Sequence, residues 1–266
     1  MTNHITLEKP AAIRMPALFV GHGSPMNAIE DNVFSRTWRT LGTTLPLPSA
    51  ILCISAHWQT PGPQVTAMNE PSTIHDFGEF PQPLFDVRYA APGSPQWATR
   101  IAQLDARHPI VADHAWGLDH GSWSVLCHMF PDANIPVLQL SLDTRKTPAE
   151  HYQFATVLAS LRDEGVLIMG SGNIVHNLRQ MIRRDEAYDW AVEIDQLVAQ
   201  QIEAGNHTAL IDYPCLHPKM LLAVPTVEHY LPLLYILALQ ESTDSVSFFN
   251  ETVTLGSMSM RGMQIG

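Results

Sequence analysis

The chain has 266 residues, a net charge of −11, and 13 histidines against 15 lysines and arginines. This length suits one large domain or two small ones with a substantial buried core, and an apolar share of 45 % argues against intrinsic disorder. The acidity argues against nucleic acid and anionic membrane surfaces as partners, because both are held first by lysine and arginine on phosphate.

Residues 1–14 carry Glu8, Lys9 and Arg14 beside only a short apolar run, and they read as an N-terminal extension rather than a signal peptide, ahead of a domain over 15–266. Residues 16–20 and 50–56 are short, β-rich apolar runs that read as buried strands, and 135–140 and 166–170 repeat the pattern. Between them, Phe154, Val157, Leu158 and Leu161 follow helical spacing over 147–163, with Thr147 and Pro148 as cap and first turn. Trp190, Ile194, Leu197, Val198 and Ile202 predict a second helix, which ends at Gly205 and Asn206. This alternation predicts a single α/β domain with a mostly parallel sheet flanked by helices. Two stretches fit neither period, the proline-rich 60–95 and 114–121, and both read as ordered loops over a site. The longest apolar stretch, 230–239, is too short to span a bilayer. Cys53, Cys127 and Cys215 form neither a disulfide framework nor a zinc motif, so the expected compartment is the reducing cytoplasm.

Ligands of open α/β sheets bind beyond the carboxyl ends of the strands, and in this chain the residues there are histidines. The first strand runs into GHGSP at 21–25, the second ends SAHW at 55–58, and the fourth leads into GSGNIVHN at 170–177. His22, His57 and His176 are thus delivered to one sheet edge, and imidazole is a common ligand for zinc and iron. Glycine on both sides of His22 allows a tight turn with room around the ring. A third ligand comes from 226–232, TVEHYLP, as either Glu228 or His229, although Thr226 and Glu228 also fit plain helix-start chemistry. His120, in WGLDHGSW at 116–123, is an acid–base candidate; the alternative is that Asp119 and Ser122 cap a helix while His120 faces water. His75 with Asp76 reads as a histidine–carboxylate pair standing behind the ligands or, more simply, as a turn. Histidines 4, 108, 114, 128, 151, 207 and 217 are assigned to structure or surface. Nucleotide loops, the His-Glu-x-x-His helix and the serine-hydrolase elbow are all missing from the sequence, and Ser24 resembles a nucleophile turn only loosely.

Taken in order, GHGSP (21–25), SAHW (55–58), IHDF (74–77), APGSP (91–95), WGLDHGSW (116–123), GSGNIVHN (170–177) and EHYLPL (228–233) resemble the 4,5-DOPA dioxygenase extradiol family. That family belongs to the class III extradiol ring-cleaving dioxygenases, related to the protocatechuate 4,5-dioxygenase catalytic subunit. The resemblance spans roughly 15–266 and implies a metal on His22, His57 and His229, with His120 and His176 as the catalytic histidines and His176 as a possible further ligand. It prefers His229 over Glu228, and it implies Fe(II) for ring opening, with Zn(II) as the other metal that three imidazoles suit. The implied partners are a small catechol and O2, most simply L-DOPA cleaved to its 4,5-seco acid, with the protein a monomer or small homo-oligomer. His75 and Ser24 become candidates for the substrate loops, and Asn173 and Asp119 for orienting the rings. The sequence departs from the family at Glu79, where glycine is more usual, and at Ala90, where proline is, and both departures concern the choice of phenol. Two other readings stay open: a zinc hydrolase on the same three histidines, and a non-enzymatic binding protein of the same fold.

Overall fold

Apolar residues on both faces of a strand require cover on both faces, and the central strands have it. In this computed structural model, which describes residues 14–106 and 109–266, strands β1 (Ala17–Gly21), β2 (Ala50–Thr60), β5 (Val137–Asp143) and β6 (Val166–Gly172) are almost wholly buried. Shorter strands complete an eight-stranded sheet: β3 (Gln64–Thr66), β4 (Val111–Asp113), β7 (Val246–Phe249) and β10 (Gly262–Ile265). The order is β4-β3-β5-β2-β6-β1-β10-β7, and β5, β2, β6 and β1 run parallel at its centre. β3 pairs antiparallel with β5, and β10 pairs antiparallel with both β1 and β7. A separate small hairpin joins β8 (Val253–Thr254) and β9 (Met258–Ser259).

Helices cover both faces: α1 (Val33–Thr44), α2 (Gln82–Phe85), α3 (Pro95–Ala102), α4 (His120–Met129), α5 (Pro148–Ala155), α6 (Ala159–Asp163), α7 (Asp189–Glu203), α8 (His207–Ile211), α9 (Met220–Ala223) and α10 (Leu231–Leu237). Because side chains alternate along a strand, Leu18, Val20, Ile51 and Cys53 join Trp38 and Trp123 in one core, while Ala17, Phe19, Leu52 and Ile54 join Leu158, Ile194 and Tyr235 in the other. The helix expected over 147–163 starts at a capping box, in which Thr147 Oγ1 accepts from the Glu150 N–H and the Glu150 carboxylate accepts from the Thr147 N–H. It breaks into α5, a 3-10 turn at Thr156–Leu158, and α6. The helix predicted around 190–202 is α7, and the apolar run at 230–239 is α10. Residues 60–95 are mostly loop, as expected, but β3 and α2 lie within them. Among the described residues, no helix is long and apolar enough to cross a membrane. The three cysteines are unbonded. The extension expected at 1–14, with His4, falls almost entirely outside the described residues, as does His108.

Candidate metal centre

Five imidazoles meet at the carboxyl edge of the parallel strands. His22 follows β1 directly, its N–H bonded to Gly172 O across the sheet (3.2 Å). Gly23, next in the chain, has φ +62°, a conformation that glycine adopts without strain. His57 lies inside β2, which runs further than the sequence suggested. The register of β2 against β5 shifts between Ile54 and Gln59, the stretch that contains His57. His120 is the first residue of α4, whose N-cap Asp119 accepts from the Ser122 N–H. Asp119 therefore caps the helix as the simpler reading held, yet His120 does not face water: it is 6 % exposed. His176 follows β6, its N–H bonded to Ala223 O (2.9 Å). His229 precedes α10, and its carbonyl accepts from the Asn173 N–H (2.8 Å).

Among the described residues, His22, His57 and His120 form one group of possible ligands, and His176, Glu228 and His229 form a second, with ligand atoms within 4.8 Å of one another in each group. The His229 ring joins them, its centroid 5.5 Å from that of His22 and 5.0 Å from that of His57. It stacks on His176 at 3.5 Å and 8°. His57 and His120 are 4.1 Å apart.

The outer nitrogens of four of these rings, His22, His57, His120 and His229, face acceptors. Ser171 Oγ donates to Gly121 O (2.5 Å), so it accepts from His22 Nδ1 at 3.0 Å. Asp76 Oδ1 accepts from His120 Nδ1 and from the His120 N–H, each at 2.9 Å, while Asp76 Oδ2 lies 3.1 Å from His57 Nδ1, off the ideal line for a hydrogen bond and with no other partner. Glu228 Oε1, held by Thr226 Oγ1, accepts from His229 Nδ1 (3.1 Å). With the proton on Nδ1 in each ring, the Nε2 lone pairs turn inward. Those of His22 and His57 come within 3.2 Å of each other. Two facing lone pairs repel unless a cation lies between them, and tetrahedral metal–imidazole bonds of 2.0–2.1 Å put neighbouring nitrogens about 3.3 Å apart. The donor set therefore fits a metal.

Burial, and then the neighbouring imidazoles, push the pKa values of His22 and His229 well below the usual 6.5. Burial brings His176 down to about 4. For His57 the pull of burial is outweighed by Asp76 and the charges of Asp119 and Glu228, which leave it raised. Burial would raise the Asp76 carboxyl, but the hydrogen bonds from His120 and the close His57 ring hold it far below the carboxylate range. Neutral imidazoles are the form that binds metal.

Other sequence candidates lie around this centre. His75 points Nε2 at Val87 O (3.1 Å) and packs among Phe77, Phe85 and Trp123. Ser24 caps the 3-10 turn Pro25–Ala28 and lines a cleft of about 500 Å³ that none of the five histidines lines. Asn173 Nδ2 donates to Ser259 O, and Asp119 binds Ser55 and Gln139, so these side chains bond to groups other than the rings. The carboxylate that faces His57 and His120 belongs to Asp76, for which the sequence favours a turn over a pairing with His75. Of the histidines assigned to structure, His151 meets Tyr235, His207 meets Tyr152 and Gln240, and His128 meets Asn27 O.

Residues 17–260 match the family described as the catalytic LigB subunit of aromatic ring-opening dioxygenase. Over 262 residues, 96 % of each chain, the sequence is 48 % identical to a protein of Escherichia coli K12 named 4,5-DOPA dioxygenase extradiol. It is 39 % identical to a Beta vulgaris protein of the same name, over 81 % of this chain and 83 % of that one. A crystal structure of an uncharacterized protein from Escherichia coli K12 superposes with a TM-score of 0.83 at 44 % identity, covering 95 % of this chain and all of the other. A match that runs from β1 through β9, with sequence similarity over nearly the full length, makes this chain a member of the LigB family and an extradiol, aromatic ring-opening dioxygenase.

Proposed function

We propose that the chain cleaves the 4,5 bond of L-DOPA, using Fe(II) held by His22, His57 and His229. The observation that carries this reading is the set of inward Nε2 atoms, each fixed from behind by Ser171, Asp76 or Glu228. Fe(II), when bound, supplies open positions for both diol oxygens and O2 and a path for electrons between them. His176, neutral near pH 7, accepts the proton of a catechol hydroxyl, so that the diol binds as an anion. His120, its Nδ1–H held on Asp76, faces the site with its Nε2 lone pair, which takes up the second catechol proton and returns it to the departing oxygen. Both oxygen atoms enter the product, the 4,5-seco acid, which cyclises to betalamic acid. Phe77, edge-on to His120 at 5.5 Å, supplies an apolar wall, and His75, packed on Phe77, lies on the loop that would frame the ring, whereas Ser24 lines the separate cleft. In this reading the catalytic domain is 15–266 behind the extension 1–14, and the protein is a monomer or small homo-oligomer of the reducing cytoplasm, where three unbonded thiols are stable.

The test is oxygen consumption by Fe(II)-reconstituted protein given L-DOPA, caffeate or protocatechuate. Uptake is expected with L-DOPA, with a yellow product. No uptake with any of the three at confirmed iron occupancy would overturn the reading in favour of a zinc hydrolase, which the all-imidazole donor set also suits.

A further inference from the structure

Asp76 sits on the long loop between β3 and α2, far in sequence from every histidine it serves. That loop is tied down around it: the Ile74 N–H donates to Leu118 O (2.7 Å), the Leu118 N–H to Ser72 O (2.8 Å), and Trp123 Nε1 to Ile74 O (2.8 Å). The carboxylate is thereby presented to two rings from two different elements, His57 of β2 and His120 at the start of α4. One oxygen takes two N–H groups of His120, and the other faces His57. We infer that Asp76 is a positioning residue which sets the Nδ1–H tautomer of both a metal ligand and the acid–base histidine, so that metal binding and proton transfer depend on one side chain. The inference rests on the proposed roles of His57 and His120.

A carboxylate is the group that fits this place, because both rings present it with a proton. An amide offers one acceptor and one donor. With the amide oxygen turned to the two N–H groups of His120, its NH2 meets His57 Nδ1 and drives that proton round to Nε2, where it competes with the metal. The experiment compares Asp76→Asn with the unchanged protein in two ways. Zinc affinity of the metal-free protein is measured by competition with a chelating dye, and histidine tautomers are read from long-range 1H–15N spectra in mildly alkaline buffer. The expected result is zinc binding about 10–100-fold weaker, with His57 moved from the Nδ1–H to the Nε2–H form. Affinity within about twofold of the unchanged protein, or weaker binding with His57 still Nδ1–H, would overturn the inference. Should Asp76→Asn fail to fold, the spectrum of the unchanged metal-free protein decides: Nδ1–H on both His57 and His120 supports it, and Nε2–H on either ring overturns it. His57→Ala, measured alongside, separates this question from the metal site itself. If that variant binds zinc as tightly as the unchanged protein, the proposed ligand set fails whatever Asp76 does.

Discussion

An imidazole binds a metal through the nitrogen that lacks its proton, and the partner behind the ring decides which nitrogen that is. For His22 the partner is Ser171 Oγ, whose own proton is committed to Gly121 O, so the hydroxyl has only a lone pair to offer. For His57 it is Asp76, and for His229 it is Glu228. Glu228, which the sequence left as a rival ligand, thus sits behind the ring. His57→Ala is expected to lose the bound metal, read as metal content after desalting, because it removes the donor 3.2 Å from His22 Nε2. His176→Ala is expected to keep its metal and to lose about 10²–10⁴-fold in turnover, the usual worth of a general base. Retention of both metal and activity in the two variants would refute the assignment, and loss of metal from His176→Ala would place that ring on the metal. His22, His57 and His176 are legible in the sequence because each follows a buried run that reads as a strand. Asp76 is not, since His-Asp-Phe in a proline-rich loop has the composition of a turn, and nothing local shows that the loop folds back onto β2 and α4.

At the level of elements, the site depends on β6 and the start of α10 being close enough for backbone to meet backbone. A Cβ on Gly172, the last residue of β6, would overlap the carbonyl oxygen of His229, and one on Gly170 would press on that of Pro232. Glycine at these places lets the segment carrying His229 lie on the strand that leads to His176. Gly172→Ala is therefore expected to cost about 1–3 kcal/mol in stability, the range for overpacking a filled core. It should also weaken metal binding by displacing His229, as urea unfolding and metal competition on the same preparation would show. A variant with unchanged stability and affinity would mean that the contact relaxes freely. The same level explains which elements the sequence reveals. β1, β2, β5 and β6 are buried runs of Val, Ile and Leu, and the segment 147–163 and the fifteen-residue α7 carry clear periodicity, so their existence is readable. β7 is half-exposed and β8, β9 and β4 have two or three residues, so they owe their strand geometry to neighbours rather than to pattern. The register shift around His57 likewise comes from pairing with β5, which no local pattern encodes.

Across the whole molecule, four of the described histidines, His22, His120, His151 and His229, are buried, and burial of an imidazole has a cost in acid. His151 is 1 % exposed, with Nδ1 2.9 Å from the Tyr235 hydroxyl, and burial brings its pKa down to about 4. His128 and His207, also away from the metal centre, are lowered by burial as well. A histidine whose pKa is lower folded than unfolded is protonated first in the unfolded chain, so stability falls as pH drops from about 6.5 towards 4 and levels off below that. Carboxylates act in a different window. Asp143 is buried and Asp244 half-buried, but hydrogen bonds from Arg145 and Arg162 respectively outweigh that burial and hold them below 3.8, so their stabilisation is present above that pH and is lost further into acid. The window between is governed by the buried imidazoles. For metal-free protein, the unfolding free energy from urea titrations is expected to fall between pH 7 and pH 4.5. His151→Gln, although less stable at neutral pH through lost packing, should fall by about 2 kcal/mol less over the same interval. Parallel pH curves for the two proteins would show that His151 does not contribute. A Tyr235→Phe variant, which keeps the burial and removes the hydroxyl, should retain the steep dependence, since desolvation is the main cause of the shift.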